Sequence, residues 1–191
     1  MKHPKVIVFT SPSGAGKTTI VRHLLSYYEK LAFSISATTR KQREGEINGV
    51  HYFFLSEAEF LHRLKENEFL EWEEVYEGIY YGTLRTEIDR LHKLGKIVVL
   101  DIDVKGALNI KKDYGKNALC VFVKPPSFEI LIERLKNRGT EDDEELQKRI
   151  ERMEFELKHE YEFDAVIVND VLSNALTEAE KVVEAFINHP D

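Results

Sequence analysis

Lys17 and Thr18 follow two glycines in the stretch SPSGAGKTT, residues 11–19, and so place a cation and a hydroxyl where the chain can turn sharply. Gly14 and Gly16 let backbone N–H groups face phosphate oxygens, and a helix beginning near Lys17 adds the positive end of its dipole. Lys17 then brings a point charge to the β- and γ-phosphates of a nucleoside triphosphate, while Thr18 offers a hydroxyl to Mg2+. Ser13, Gly14, Ala15, Gly16, Lys17, Thr18 and Thr19 thus read as a triphosphate-binding loop. The pattern G-x-x-x-x-G-K-[ST] asks for a glycine where this chain has Ser11. Ser11 precedes Pro12, which drives it into extended backbone open to any L-residue, so no glycine is required there. Further on, Arg40 and Arg43 stand three apart, with Tyr52 nine beyond. Two guanidinium forks and a phenol suit a monophosphate dianion, although arginines on a polar segment are more often simply solvated.

The elements that must position these groups are legible as apolar runs. KVIVFT, KIVVLDID, ALCVFV and DAVIVND are apolar throughout rather than alternating, as strands covered on both faces of a parallel sheet are. Between them lie helical patterns. Ser127 opens one with Phe128, Leu131 and Leu135 on one face and Gly139 just past its end, and Ser173 opens another through Leu176, Ala179, Val182, Val183 and Phe186. Leu146, Ile150, Met153 and Leu157 form a further stripe, with Arg149 on its flank and Arg152 turned to solvent. Strand and helix in alternation predict an α/β fold with a parallel sheet and right-handed crossovers. Residues from about 34 to 86 break the alternation with a polar, aromatic stretch that looks inserted. Within it Ser56 and Glu59 form a capping box for the helix EAEFLHRLKEN.

At 191 residues the chain suits one well-filled core with a small insertion. A net charge of −7 argues against an extended nucleic-acid surface, so an anion site must be local. The single cysteine, Cys120, lies in an apolar run and is expected to be an inert buried thiol. No stretch approaches the ~20 apolar residues needed to span a bilayer, and the start MKHPKVIVF is too short for a signal peptide, so no membrane partner and a cytoplasmic location are expected.

Beyond these features the sequence resembles guanylate kinases. The resemblance is carried by SPSGAGKTT, SATTRKQREGEINGVHYFF, EFLEWEEVYEGIYYGT, LDIDVKGA, PPSFEILIERLKNRGTE and VIVND, in family order across nearly the whole chain. It implies a parallel-sheet phosphate-loop nucleoside monophosphate kinase fold. The core would be residues 1–33, 87–137 and 160–191, the GMP-binding insertion about 34–86, and the lid about 138–159. The implied activity is ATP-dependent phosphorylation of GMP, and of dGMP beside it, with Mg2+ accompanying the ATP.

Site by site, the resemblance implies that Ser36, Arg40, Arg43, Tyr52 and Tyr81 hold the GMP phosphate. Glu71 would accept from guanine N1–H and the 2-amino group, and Thr83 would donate to O6. Asp101 ends a strand at the carboxyl edge where α/β sheets bind ligands, near guanine and, directly or through water, Mg2+; Asp103 is a weaker candidate. Arg134, Arg138 and Arg149 match the lid arginines that steady the transferring group, and Asn169 matches the residue that touches adenine. Ala37 stands where a second serine is common, and the pairing of Tyr80 and Tyr81 is open by one residue, with Tyr81 preferred. Two other readings remain: a scaffold of this fold without turnover, against which Lys17, Thr18, Arg138 and Arg149 speak, and a kinase of another mononucleotide or of a phosphorylated sugar, against which Glu71 and Thr83 speak.

Overall fold

The computed structural model describes residues 4–136 and 143–189. Along the chain run β1 (Val6–Thr10), α1 (Lys17–Tyr27), β2 (Leu31–Phe33), β3 (Ala37–Thr38), β4 (Phe53–Phe54), α2 (Glu57–Lys65), β5 (Phe69–Tyr76), β6 (Ile79–Leu84) and α3 (Arg85–Lys93). They are followed by β7 (Ile97–Asp101), α4 (Val104–Tyr114), β8 (Ala118–Lys124), α5 (Phe128–Lys136), α6 (Asp143–Lys158), β9 (Ala165–Val168) and α7 (Leu172–Asn188). One sheet has the order β2-β7-β1-β8-β9, and its β1–β8 and β8–β9 ladders are parallel. The chain divides into two compact units, one holding Lys30–Val98, the other Lys5–Glu29 and the chain from Val99 onward.

In the latter unit the unbroken apolar runs have the burial they predict. All five residues of β1 are buried, as are the first six of β8, because both faces of these strands are covered. Phe9 and Phe122 are among the largest fully buried side chains, and truncating either to alanine would cost about 3–5 kcal/mol. Cys120 is buried, with its thiol against the Ala107 carbonyl. Burial, with the Asp164 charge adding to it, pushes that thiol up to about 12, which keeps it inert. Leu131 of α5 and Met153 of α6 are packed with Phe128, Ile132 and Ile150.

The former unit carries a second sheet, ordered β4-β3-β6-β5, that the sequence reading does not anticipate. β3 and β4 are two residues each, too short to show a period. In β5 the inward face starts with Phe69 and Glu71, so a carboxylate stands where a half-buried strand normally places an apolar residue. β2 is likewise three residues with only Leu31 buried. Ser56 and Glu59 do close the capping box at the start of α2, whose Phe60 stacks on Phe69 at 4.2 Å and on Tyr80 at 5.4 Å. Among the described residues, no helix is long and apolar enough to cross a membrane.

Candidate active site

The candidate triphosphate loop is shaped by its backbone. Gly14 and Gly16 both have φ of 92°, left-handed values that favour glycine. Among the described non-glycine residues only Asn67 has positive φ, so Ser11 lies in backbone open to any L-residue. Gly16 caps α1 with no side-chain hydrogen bond, so the Lys17 and Thr18 N–H groups that open the helix have no side-chain partner at the cap, while Thr19 N–H donates to the Gly16 carbonyl at 3.2 Å. Space adds a second constraint, since a Cβ on Gly16 would collide with Nδ2 of Asn169. That same Nδ2 donates to the Ala15 carbonyl at 2.8 Å, and the Asn169 main-chain N–H donates to the Lys124 carbonyl at 2.7 Å. Asn169 is thus buried against the loop and braces it.

Lys17 forms an ion pair with Asp101, so the loop lysine and the strand-end carboxylate meet. Thr18, Thr19 and Ser13 are exposed. Asp103 is the N-cap of α4, accepting from the N–H groups of Lys105 at 2.7 Å and Gly106 at 3.1 Å. Glu156 of α6 is buried, and its carboxyl is raised above the ordinary carboxylate value by that burial, against the opposing pull of Arg152, whose Nε donates to it at 3.1 Å. Arg152 is therefore exposed but paired, rather than only a solvated charge. Arg134 and Arg149 are placed on α5 and α6 by the backbone alone, and Arg138 lies outside the described residues.

In the other unit, β5 and β6 pair antiparallel with Glu71 opposite Thr83. The register slips between Phe69 and Glu71, and Gly82 lies beside the slip. A Cβ on Gly82 would come within 2.8 Å of the Glu71 carbonyl and of Phe69, so only glycine permits this approach. Both side chains are sealed in, Thr83 at 0% and Glu71 at 9% exposure, and the Thr83 hydroxyl donates to Glu71 Oε1 at 2.6 Å. A hydroxyl has one proton, so Thr83 can donate to another acceptor only by turning away from Glu71.

Arg40 is the hub of a second cluster in this unit. Its guanidinium lies over the ring of Tyr52, 5.3 Å from the centroid, and its Nε donates to the Tyr81 hydroxyl at 3.2 Å. Tyr52 and Tyr81 meet edge to face at 6.0 Å, whereas Tyr80 points to the Phe60 cluster. Ser36 lies just before β3, its carbonyl accepting from Phe53 N–H at 2.9 Å. Arg43 is exposed, on the turn after Arg40. A group not foreseen from the sequence completes the cluster: Glu46 accepts from Arg40 Nη2 at 2.7 Å and Nη1 at 3.1 Å. Its only sequence signal is an acid three residues past Arg43, across Gly45.

Residues 3–186 match the family model described as guanylate kinase. The chain is 49% identical over 183 residues to a guanylate kinase of Chlorobium chlorochromatii, covering 96% of both chains. It is 50% identical over 184 residues to one of Bacteroides thetaiotaomicron, covering 96% of this chain and 90% of that one. This chain belongs to the guanylate kinase family. Its fold is also similar to the crystal structure of guanylate kinase from Anaplasma phagocytophilum, with a TM-score of 0.72 at 26% identity over 97% of this chain and 87% of that one. The fold is that of a phosphate-loop nucleoside monophosphate kinase, and the match to the guanylate kinase model runs through both the triphosphate loop and the Glu71–Thr83 pair.

Proposed function

We propose that this guanylate kinase family member is an ATP:GMP phosphotransferase that converts GMP, and dGMP beside it, into the diphosphate in purine nucleotide metabolism. The observation that supports guanine in particular is the buried Glu71–Thr83 pair. A sealed carboxylate beside a hydroxyl matches guanine, which presents two donors, N1–H and the 2-amino group, next to the O6 acceptor. Adenine offers a bare N1 to the same carboxylate.

An oxygen of the GMP phosphate attacks the γ-phosphorus of ATP, and the bond from that phosphorus to the β–γ bridging oxygen breaks. ADP leaves with the electron pair. The attacking oxygen is already anionic, so no general base is assigned. Lys17 leaves Asp101 for the triphosphate and offsets its charge, while the loop N–H groups before α1 hold the phosphates in line. Thr18 and Asp101, hard oxygen donors of the kind magnesium shares with nucleotide phosphates, would hold the ion, Asp101 through water where it does not reach directly. Bound there, Mg2+ supplies charge neutralisation at the phosphate oxygens.

Arg134, Arg138 and Arg149 act from the lid, about residues 138–159, on charge developing at the transferring group. Ser36, Arg40, Arg43, Tyr52 and Tyr81, in the insertion of about residues 34–86, hold the GMP phosphate. Asn169 both braces the loop and touches adenine. The test is a coupled ADP-release assay across GMP, dGMP, AMP, UMP and CMP. GMP and dGMP should turn over, and AMP should lag by on the order of 10⁴-fold in kcat/KM. Equal rates with AMP, or no turnover with any of the five, would contradict the reading.

A further inference from the structure

Between the amino ends of β1 and β8 and the last turns of α7 lies a cavity of about 300 Å³. Its walls are apolar, formed by Leu119, Val182, Ala185 and Phe186. The glycine loop leaves the opposite, carboxyl end of β1, so the length of that strand, about 17 Å for its five residues, separates loop from cavity. Basic side chains line the cavity and no acid does, in a chain whose net charge is −7. Lys5 is pinned there: its Nζ donates to the carbonyls of Phe186 at 3.2 Å, Ile187 at 3.4 Å and His189 at 2.7 Å, and lies 5.5 Å from the centroid of the Phe186 ring. α7 has no basic residue in its own last turn, so Lys5 offsets the negative end of the helix dipole and keeps that wall from repelling an anion. Lys116 is differently placed. It sits in the single turn Gly115–Asn117 between α4 and β8, is exposed, and enters no hydrogen bond or ion pair among the described residues. Its ammonium is the charge left for a ligand.

We propose that this cavity is a binding site for a small organic anion, a carboxylate carried on a compact apolar body. The body fills the space against Leu119, Val182 and Phe186, and the carboxylate meets Lys116 at the rim. Volume and lining select this class together. The cavity is at the lower end of the range for small-molecule sites, which suits a body of about ten to twelve non-hydrogen atoms. A neutral hydrocarbon would leave the basic rim unused, and inorganic phosphate would leave the apolar walls uncovered. None of these residues belongs to the phosphoryl-transfer machinery proposed above, so nucleotides do not compete for the site.

The experiment titrates the full chain with 1-naphthoate and with 1-naphthalenemethanol, which has the same rings and no charge, while saturating GMP and a non-hydrolysable ATP analogue occupy the nucleotide sites. Calorimetry reads affinity and methyl spectra read place. Naphthoate should bind roughly 3- to 5-fold more tightly than the alcohol, the scale of one solvent-exposed charge pair, and should shift the methyls of Leu119, Val182 and Ala185. Lys116→Glu reverses that charge and should weaken naphthoate roughly 10-fold, with the alcohol and the kcat for GMP each within about 2-fold of wild type. Val182→Trp fills the cavity and should abolish binding of both probes. No binding, equal affinity for the two probes, undiminished naphthoate affinity in Lys116→Glu, or shifts confined to residues outside the cavity would each overturn the proposal. So would naphthoate that binds only after residues 1–3 are removed, which would make the chain's own start the occupant, or naphthoate that dissolves self-association, which would make a second copy the occupant. Should the variants not fold, the wild-type comparison of naphthoate with the alcohol and the map of shifted methyls decide by themselves.

Discussion

In the proposed reading, the glycine loop before α1 and the sheet β4-β3-β6-β5 solve the same problem, holding polar groups ready for a charged or polar ligand, in opposite ways. The loop uses backbone: two left-handed glycines, an uncapped helix start, and a bracing bond from Asn169 to the Ala15 carbonyl. The helix start has no side-chain partner at the cap. The guanine-side sheet uses side chains that satisfy one another, Thr83 with Glu71 and Arg40 with Glu46 and Tyr81. Backbone donors at a helix start are partly solvated and can wait for an anion, whereas a buried carboxylate cannot be left unpaired without a desolvation cost. The loop is thus set by conformation, and the sheet by internal partners that a ligand must join or replace.

Lys17→Ala breaks the first half of that contrast. Turnover should fall about 10²–10³-fold, the scale of losing one preorganised charge-stabilising group, while calorimetric GMP affinity stays near wild type. Near-normal turnover would remove Lys17 from the chemistry. Gly16→Ala comes next, because a side chain at φ 92° is strained and also displaces Asn169. Chemical denaturation should show a loss of about 1–3 kcal/mol, together with a raised KM for ATP. Unaltered stability would mean that the loop does not depend on its conformation.

Asn169→Ala removes the brace and the proposed adenine contact together, without touching the loop glycines. KM for ATP should rise about 5- to 10-fold, as for loss of a buried hydrogen bond of about 1 kcal/mol plus looser positioning, with KM for GMP unchanged. An equal rise in both Michaelis constants would mean that the brace is not specific to the donor side. Smallest is the effect of Glu156→Gln. Burial raises the Glu156 carboxyl above its ordinary value of 4.5, so the native state holds its proton to higher pH than the unfolded chain does. Stability due to this group is greatest below 4.5 and is lost as pH rises through the folded value. The glutamine, always neutral, should therefore melt slightly higher than wild type at neutral pH, and the difference should vanish in acid. A lower melting temperature at neutral pH would show that the Arg152 pair outweighs burial.

The two regions also differ in how far the sequence disclosed them. The glycine loop before α1 and the β1, β7, β8 and β9 runs are legible because their signals are local: Gly-Lys-Thr behind a strand, and apolar stretches without alternation. The second sheet was not, since β3 and β4 are too short to show a period and Glu71 occupies an inward position in β5. Family resemblance supplied Glu71 and Thr83, whose opposition across β5 and β6 depends on a register slip that composition does not encode. Nothing in the spacing distinguished Tyr81 from Tyr80, which face different neighbours on one strand. Glu46 carries no local signal because its pairing depends on Arg40 folding back across a turn, and Arg152 carries none because its partner Glu156 looks in sequence like one more surface acid.

The central claim, that guanine is read by a buried carboxylate paired with a hydroxyl, is tested most directly by kcat/KM for GMP and for AMP in wild type and in Glu71→Gln. The substitution keeps the shape and exchanges an acceptor for a donor, so guanine N1–H or its 2-amino group would meet another N–H. The account predicts a steep fall with GMP, on the order of 10²-fold or more, and a narrowed GMP-to-AMP ratio, because AMP loses nothing it had. An unchanged GMP-to-AMP ratio would contradict it and place the reading of guanine on other residues.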